Sequence, residues 1–506
     1  MSEAVTAAPV KRLVTGIPGL DTLSRGGIPE GRTLLVGGAA GTGKTTLAVQ
    51  FLVRGIEAAG EPGILVTCEE PADHIRTNAM SYGWDLAALE AAGQLLIIDL
   101  SGDSEWESTI VDQSYDLSPV IAAVEQGVRR LDCRRVAIDG LESLLSDFGS
   151  SHRIRRELRR VIRRVGGSGV TAIVTVEQTE PDRHSGRFGV EEFVADGVLV
   201  LRNRLVTEHR HRTAEILKLR GVAHIAGEFP FILDTEEGFQ LLPLMTERLS
   251  HEATDRRIST GDATLDRICD GGVLADSSIL ISGPTGTGKT LLSCTFADEG
   301  ARQGERVIYF TFEESEQQTV RNAMGWGFDF AQHLRNQQLR IVSDLPEGVG
   351  LAERLNLMLK AVDEFGPQRV VLDSLSALAR LEDARAFRLF MISLTTALKG
   401  RGLPIYLTAI PGSTSGTRSA ANNPVSTLTD MIVQLRYVET AGMIRRSLAV
   451  VKMRSSAHEN RIFEFTISNR GIEIGEPFQD AQESSLQSHR SDPIADLYRP
   501  GDEFEL

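Results

Sequence analysis

The stretch Gly38-Ala39-Ala40-Gly41-Thr42-Gly43-Lys44-Thr45 decides the reading of this chain. It fits the pattern G-x-x-x-x-G-K-[ST] at every fixed position. The apolar run Thr33-Leu34-Leu35-Val36 precedes it and the helical-looking Leu47-Ala48-Val49-Gln50-Phe51-Leu52 follows. That strand–loop–helix setting is the one a phosphate-binding loop requires. Its glycines let backbone N–H groups close around a phosphate chain, at a helix N-terminus that already favours anions. In such a loop Lys44 reaches the β- and γ-phosphates, and the Thr45 hydroxyl ligates Mg²⁺.

The same stretch occurs again as Gly283-Pro284-Thr285-Gly286-Thr287-Gly288-Lys289-Thr290, after the apolar Ser278-Ile279-Leu280-Ile281. Thr46 and Leu291 are the next residues of the two loops. Other landmarks repeat in the same order. Thr15-Gly16-Ile17-Pro18-Gly19-Leu20-Asp21 answers to Ser259-Thr260-Gly261-Asp262-Ala263-Thr264-Leu265-Asp266, and Gly26-Gly27 to Gly271-Gly272. An apolar run ends in Glu69-Glu70 and again in Glu313-Glu314, and a later one ends in Asp139 and again in Asp373. Asn-Ala-Met recurs at Asn78 and Asn322, and a glycine–tryptophan pair recurs around Trp84 and Trp326. Lys218-Leu219-Arg220 returns as Lys452-Met453-Arg454. A domain has been duplicated. Apolar β-type runs alternate with helical patterns, so each copy reads as an α/β domain with a largely parallel, buried sheet.

Length and composition agree with this. A chain of 506 residues is too long for one core. The expected limits are an N-terminal extension at 1–12, a first domain at 13–246, a polar linker at 247–257 and a second domain at 258–476. The acidic stretch 477–506, poor in large apolar residues, reads as a mobile tail. A net charge of −15 argues against a general nucleic-acid binder. No run approaches a membrane span and no signal pattern opens the chain, so the expected location is cytoplasmic. Cys68, Cys133, Cys269 and Cys294 form no C-x-x-C pair and read as reduced thiols. His209 and His211 have no ligand partners at metal spacing. In Arg153–Val165, Ile154, Leu158, Val161, Ile162 and Val165 form an apolar stripe among arginines, which reads as a solvated or subunit-facing helix.

Asp139 and Asp373, at strand ends, stand where a Walker B carboxylate holds Mg²⁺, often through water. A carboxylate beside a phosphate loop can orient or deprotonate the nucleophile that attacks the γ-phosphorus, so Glu69, Glu70, Glu313 and Glu314 are the candidate catalytic residues. The first of each pair is favoured, with the second left open. Lys218 and Arg220, like Lys452 and Arg454, suit an arginine-finger role on a neighbouring subunit's ATP.

Taken together, these residues resemble the KaiC family of circadian clock ATPases. The resemblance spans Thr15 to about Ile474. It includes both phosphate loops, both Glu pairs, Gly189-Val190-Glu191-Glu192-Phe193-Val194-Ala195-Asp196, Ile216-Leu217-Lys218-Leu219-Arg220-Gly221, Asp373-Ser374-Leu375-Ser376-Ala377-Leu378-Ala379-Arg380 and Val425-Ser426-Thr427-Leu428-Thr429-Asp430. It implies two tandem RecA-like P-loop NTPase domains in a double-ring homohexamer bridged by ATP, with Mg²⁺. The first ring would be mainly an ATPase. The second would phosphorylate and dephosphorylate its own chain at Ser426 and Thr427, reporting its state to partners in clock, timing or stress signalling. Contacts to ATP across the subunit boundary would come from Lys218, Leu219, Arg220 and His224, and from Lys452, Met453, Arg454, Ser456 and His458. Ser81 and Trp326 would lie beside nucleotide, and Glu313 would join Thr290 at the metal.

Three departures from the family pattern stand out. Ala421-Asn422 replaces a Thr-Asp, Ser455 follows Arg454 where Gly221 follows Arg220, and the acidic tail differs from an activator-binding tail. Dependence on a KaiA-like activator is therefore doubtful, whereas Ser101–Ser118 lies where a KaiB-like partner would act. Two rival readings are a RecA- or DnaB-like DNA-dependent ATPase and a scaffold glued by ATP without kinase activity. The first lacks the basic and aromatic channel loops that single strands need.

Overall fold

The computed structural model describes residues 10–102, 117–145, 151–177, 194–206, 209–242, 254–343, 349–411, 427–440 and 442–478. Each half of the chain is a compact unit. In the first, a short ribbon pairs β1 (Arg12–Leu13) with β2 (Ile28–Pro29). The main strands are β3 (Thr33–Gly38), β4 (Gly63–Thr67), β5 (Leu95–Asp99), β6 (Arg135–Asp139), β7 (Thr171–Glu177), β8 (Gly197–Val206), β9 (His209–Leu219), β10 (Glu228–Asp234) and β11 (Gly238–Leu241). They form one sheet in the order β11-β10-β9-β8-β3-β7-β6-β4-β5. The six strands from β8 to β5 are parallel, and β9, β10 and β11 extend the sheet antiparallel.

The second unit repeats this plan. Its ribbon is β12 (Arg257–Ile258) with β13 (Val273–Leu274). Its main strands are β14 (Ser278–Ser282), β15 (Val307–Thr311), β16 (Leu339–Ser343), β17 (Arg369–Asp373), β18 (Ile405–Ala409), β19 (Met431–Thr440), β20 (Met443–Met453), β21 (Phe463–Ser468) and β22 (Gly471–Pro477). The order is β16-β15-β17-β18-β14-β19-β20-β21-β22. Strands buried on both faces, such as Ile279-Leu280-Ile281 and Val370-Val371-Leu372, are continuous apolar runs because helices cover each side. The antiparallel extensions were not expected from the apolar pattern, since β9 and β20 carry many charged residues.

Three residues placed in the extensions or linker belong to the sheets instead. Arg12, Arg257 and Pro477 all lie in strands, and the Phe478 N–H continues by donating to the Ile462 carbonyl. The apolar stripe of the helix Ser151–Gly167 is buried, and most of its arginines are exposed. All four cysteines are free and buried.

A buried arginine recurs at the start of the fourth parallel strand of each unit, β6 and β17. Arg135, 3% exposed, pairs with Glu61 at 2.8 Å, and donates to the carbonyls of Val14, Thr15 and Phe51 while lying 4.8 Å over the Phe51 ring. Arg369, fully buried, repeats this with Glu305, Ser259 and Phe296. A glycine makes room each time. A Cβ at Gly55 would lie 2.2 Å from Arg135 Nε, and one at Gly300 would lie 2.7 Å from Arg369 Cδ.

Candidate nucleotide sites

The phosphate loops leave β3 and β14 at their C-terminal ends and enter the helices Lys44–Ala59 and Lys289–Arg302. Gly41 and Gly43 have φ of 73° and 87°, and Gly286 and Gly288 have 80° and 106°. This is the left-handed backbone that turns successive N–H groups inward. The Thr42 and Thr287 hydroxyls brace the loops on the carbonyls of Ala39 and Pro284, both at 2.8 Å. Lys44 Nζ donates to the carbonyls of Gly38 and Ala39, and Lys289 Nζ to those of Gly283 and Pro284, at 2.8–3.0 Å. Each ammonium thus lies folded over its own loop. Burial lowers the Lys289 pKa, while Asp373 and Glu313 oppose that shift.

Asp139 ends β6 beside the first loop. Its Oδ2 accepts from the Thr45 hydroxyl at 2.8 Å, and its Oδ1 from Thr175 at 2.6 Å. Asp373 ends β17 and takes its Oδ1 bond from Thr408 of β18. Its Oδ2, however, accepts from the Tyr309 phenol at 3.0 Å, in the place that Thr45 takes on Asp139. The two strand-end carboxylates are therefore held differently.

The Glu pairs cap β4 and β15, and their two members face different surroundings. Glu70 accepts from Asn78 Nδ2 at 2.7 Å, and Glu314 accepts from Asn322 at 3.0 Å. Burial raises the pKa of both, helped by Asp139 and Asp373 respectively. Glu69 is exposed and packs at Gly140, where a Cβ would lie 2.9 Å from its own Cβ. Glu313 is exposed, its charge acts on Lys289, and it lies 3.5 Å from Arg380. The recurring Asn-Ala-Met therefore supplies the asparagine that pins the second glutamate.

Hydroxyl and carboxylate oxygens make a hard donor set, which fits Mg²⁺ rather than a thiolate- or imidazole-loving metal. Among the described residues no three His, Cys, Asp or Glu form a ready cage. Mg²⁺ of nucleotide sites is held largely by phosphate oxygens and water, with one or two protein groups.

The cationic strand ends lie elsewhere. Leu219 pairs with Gly197, which pairs with Leu34, so Lys218 and Arg220 stand at the entry end of β3. The first loop begins about 13 Å of strand away, at ~3.3 Å per residue. Arg220 N donates to Asp196 O at 2.9 Å and its guanidinium is exposed. In the second unit Lys452 pairs with Ile432, and Arg454 N bonds Asp430 O, level with Ser278. Arg454 also donates to the Thr427 carbonyl at 3.2 Å, which places Thr427 at this end too. Burial, then Arg454, lower the Lys452 pKa. His224 and His458 are half-buried near these ends, Leu219 and Met453 close their strands, and Ser456 accepts from Arg257.

Ser81 caps the helix Ala72–Met80 by donating to Asn78 O at 2.6 Å. Trp326 caps the helix Glu316–Gly325 and is half-buried. The two tryptophans are not equivalent. Trp84 lies against Gly238 as Phe328 lies against Gly471, so Trp326 answers to Tyr82. Ser426, Ala421-Asn422, residues 103–116 and all of Gly189–Phe193 lie outside the described residues, as does the His209 side chain.

These loops, strand-end aspartates and sheet order define a P-loop ATPase of RecA-like architecture, twice over. A family model described as "ATPase: KaiC" matches residues 13–245 and again 258–479. The chain belongs to the KaiC family, and ATP binding comes with that membership. It is 43% identical over 471 residues to the circadian clock protein KaiC3 of Synechocystis sp., covering 93% of each chain. It is 42% identical to the circadian clock oscillator proteins KaiC of Thermosynechococcus vestitus and Synechococcus elongatus, covering 94% and 93% of this chain and 91% and 90% of theirs.

Proposed function

We propose that this chain, with domains at 13–246 and 258–476, is a Mg²⁺-ATP-dependent ATPase and serine/threonine autokinase that works as a homohexamer. The observation that carries the reading is the separation of loop and cations in each unit. Phosphate loop and Lys-x-Arg stand at opposite ends of one sheet, so a chain cannot close its own site. A neighbouring copy must bring Arg220 or Arg454 to the phosphates, where an added cation stabilises the charge of phosphoryl transfer. Thr427 stands at the cationic end, so its hydroxyl too meets the loop of a neighbour rather than its own.

Within each site Lys44 or Lys289 would bind the phosphates, and Glu69 or Glu313, the exposed and untethered members of the pairs, would take the proton of the attacking water or hydroxyl. Glu70 and Glu314 would hold position through Asn78 and Asn322. Thr45 with Asp139, and Thr290 with Asp373, would hold Mg²⁺, whose charge offsets that of the phosphates. Glu313, whose charge acts on Lys289, would share that role. Partner binding by a KaiB-like protein and a cytoplasmic setting belong to the same proposal. No described helix is long and apolar enough to cross a membrane.

The test is phosphopeptide mass spectrometry on protein incubated with Mg²⁺-ATP, beside a Glu313→Gln/Glu314→Gln control. Phosphate on Ser426 or Thr427 that is lost in the control is the expected result. ATP hydrolysis without phosphate at either residue would refute the kinase.

A further inference from the structure

Tyr309 is fully buried in β15, and its phenol donates to Asp373 Oδ2 at 3.0 Å. Thr408, in β18, donates to the other oxygen. β15 and β18 are the two neighbours of β17, so the carboxylate is gripped from both flanking strands. In the first unit the same oxygen is held by Thr45 of the phosphate loop, because the residue matching Tyr309 is Leu65.

We infer that Tyr309 is a positioning residue of the second nucleotide site, which fixes Asp373 toward the metal independently of the phosphate loop. This rests on the ATP reading above. A neighbouring strand holds one oxygen of each aspartate; the other oxygen of Asp139 is tied to a loop that must rearrange around phosphates, whereas that of Asp373 is tied to the sheet again. Tyr309 is itself anchored. Its oxygen is hydrogen-bonded to the Cys294 thiol, where the first unit has Val49, and its ring meets Phe330 edge-on at 6.3 Å.

The experiment is a Mn²⁺ titration followed by electron paramagnetic resonance on the full chain loaded with β,γ-imido-ATP. The wild type should bind Mn²⁺ at both sites. Tyr309→Phe, which keeps the ring, should weaken one of the two by about tenfold and leave the other unchanged, the size expected for a lost hydrogen bond to a charged acceptor. Tyr309→Leu, which installs the first unit's side chain, should show the same one-site loss. Wild-type Mn²⁺ affinity at both sites in Tyr309→Phe, even with a lowered melting temperature, would overturn the inference and leave Tyr309 a packing residue. Equal weakening at both sites would also overturn it. Failure of the wild type to bind nucleotide-dependent Mn²⁺ would overturn the ATP reading itself.

Discussion

Glu142 offers a quantitative test of the first site. It is 4% exposed, in the helical turn after Asp139. Its Oε1 accepts from the Glu177 N–H at 2.9 Å, and its Oε2 has no hydrogen-bond partner among the described residues. Burial pushes its pKa from 4.5 up to about 7; Lys44 opposes the shift and Glu69 adds to it. The folded state therefore keeps a proton that the unfolded chain has lost. Stability is undiminished below pH ~4.5 and falls as the pH rises toward 7, by about 3 kcal/mol in all. Glu142→Gln is a neutral shape match whose amide oxygen still accepts from Glu177. At pH 8 it should exceed the wild type by about that amount, and at pH 5 by only about 0.8 kcal/mol. Hydrogen exchange of nucleotide-free protein, read on peptides covering β6 and β7 and corrected for intrinsic rates, isolates this domain. Equal protection of the two proteins at both pH values would show that Glu142 is ionised in the fold, and the reasoning would fail.

Arg135→Met should destabilise the first domain by about 3–5 kcal/mol, because Glu61 and three carbonyls lose a buried partner; urea unfolding followed by the same peptides measures it. Gly238→Ala should cost about 2 kcal/mol, since its φ of 78° is unfavourable for alanine and the new Cβ would stand 2.6 Å from the Trp84 ring; a fall in melting temperature reports it. Lys289→Ala chains and Arg454→Ala chains should each lack phosphorylation alone and regain part of it when mixed, because each supplies the end the other lacks. Mixtures as inactive as the separate variants would contradict the shared site.

Much of this was legible in the sequence because it is local. A phosphate loop is eight consecutive residues between a strand and a helix, and an aspartate closing an apolar run needs no tertiary knowledge. Duplication made each reading twice as secure and fixed the α/β fold. What stayed hidden depends on which strands become neighbours. Tyr309 looked like one more β-former, and only the adjacency of β15 and β17 brings its phenol to Asp373. Glu142 looked like an acidic helix start, and the end of β7 is what buries it. Aligning the halves would have raised both, since Leu65 and Ser376 stand in their places. The glycine–tryptophan repeat misled because it matched letters, whereas the equivalent rings are those that lie against Gly238 and Gly471. Choosing within each Glu pair needed Asn78 and Asn322, eight residues on, to show which glutamate is tethered.

The core arginines also bear on how the chain is made. Val14 and Thr15 find their partner only at Arg135, some 120 residues later, and Ser259 waits 110 residues for Arg369. At translation rates of about 5–20 residues per second, the opening segment of each domain spends roughly 6–24 s without the group that satisfies its carbonyls. A nascent chain stalled before Arg135 would keep its local pairing of β1 with β2 but leave the Val14 and Thr15 carbonyls without that partner. During synthesis each half thus offers chaperones a defined interval that ends when a single arginine emerges from the ribosome.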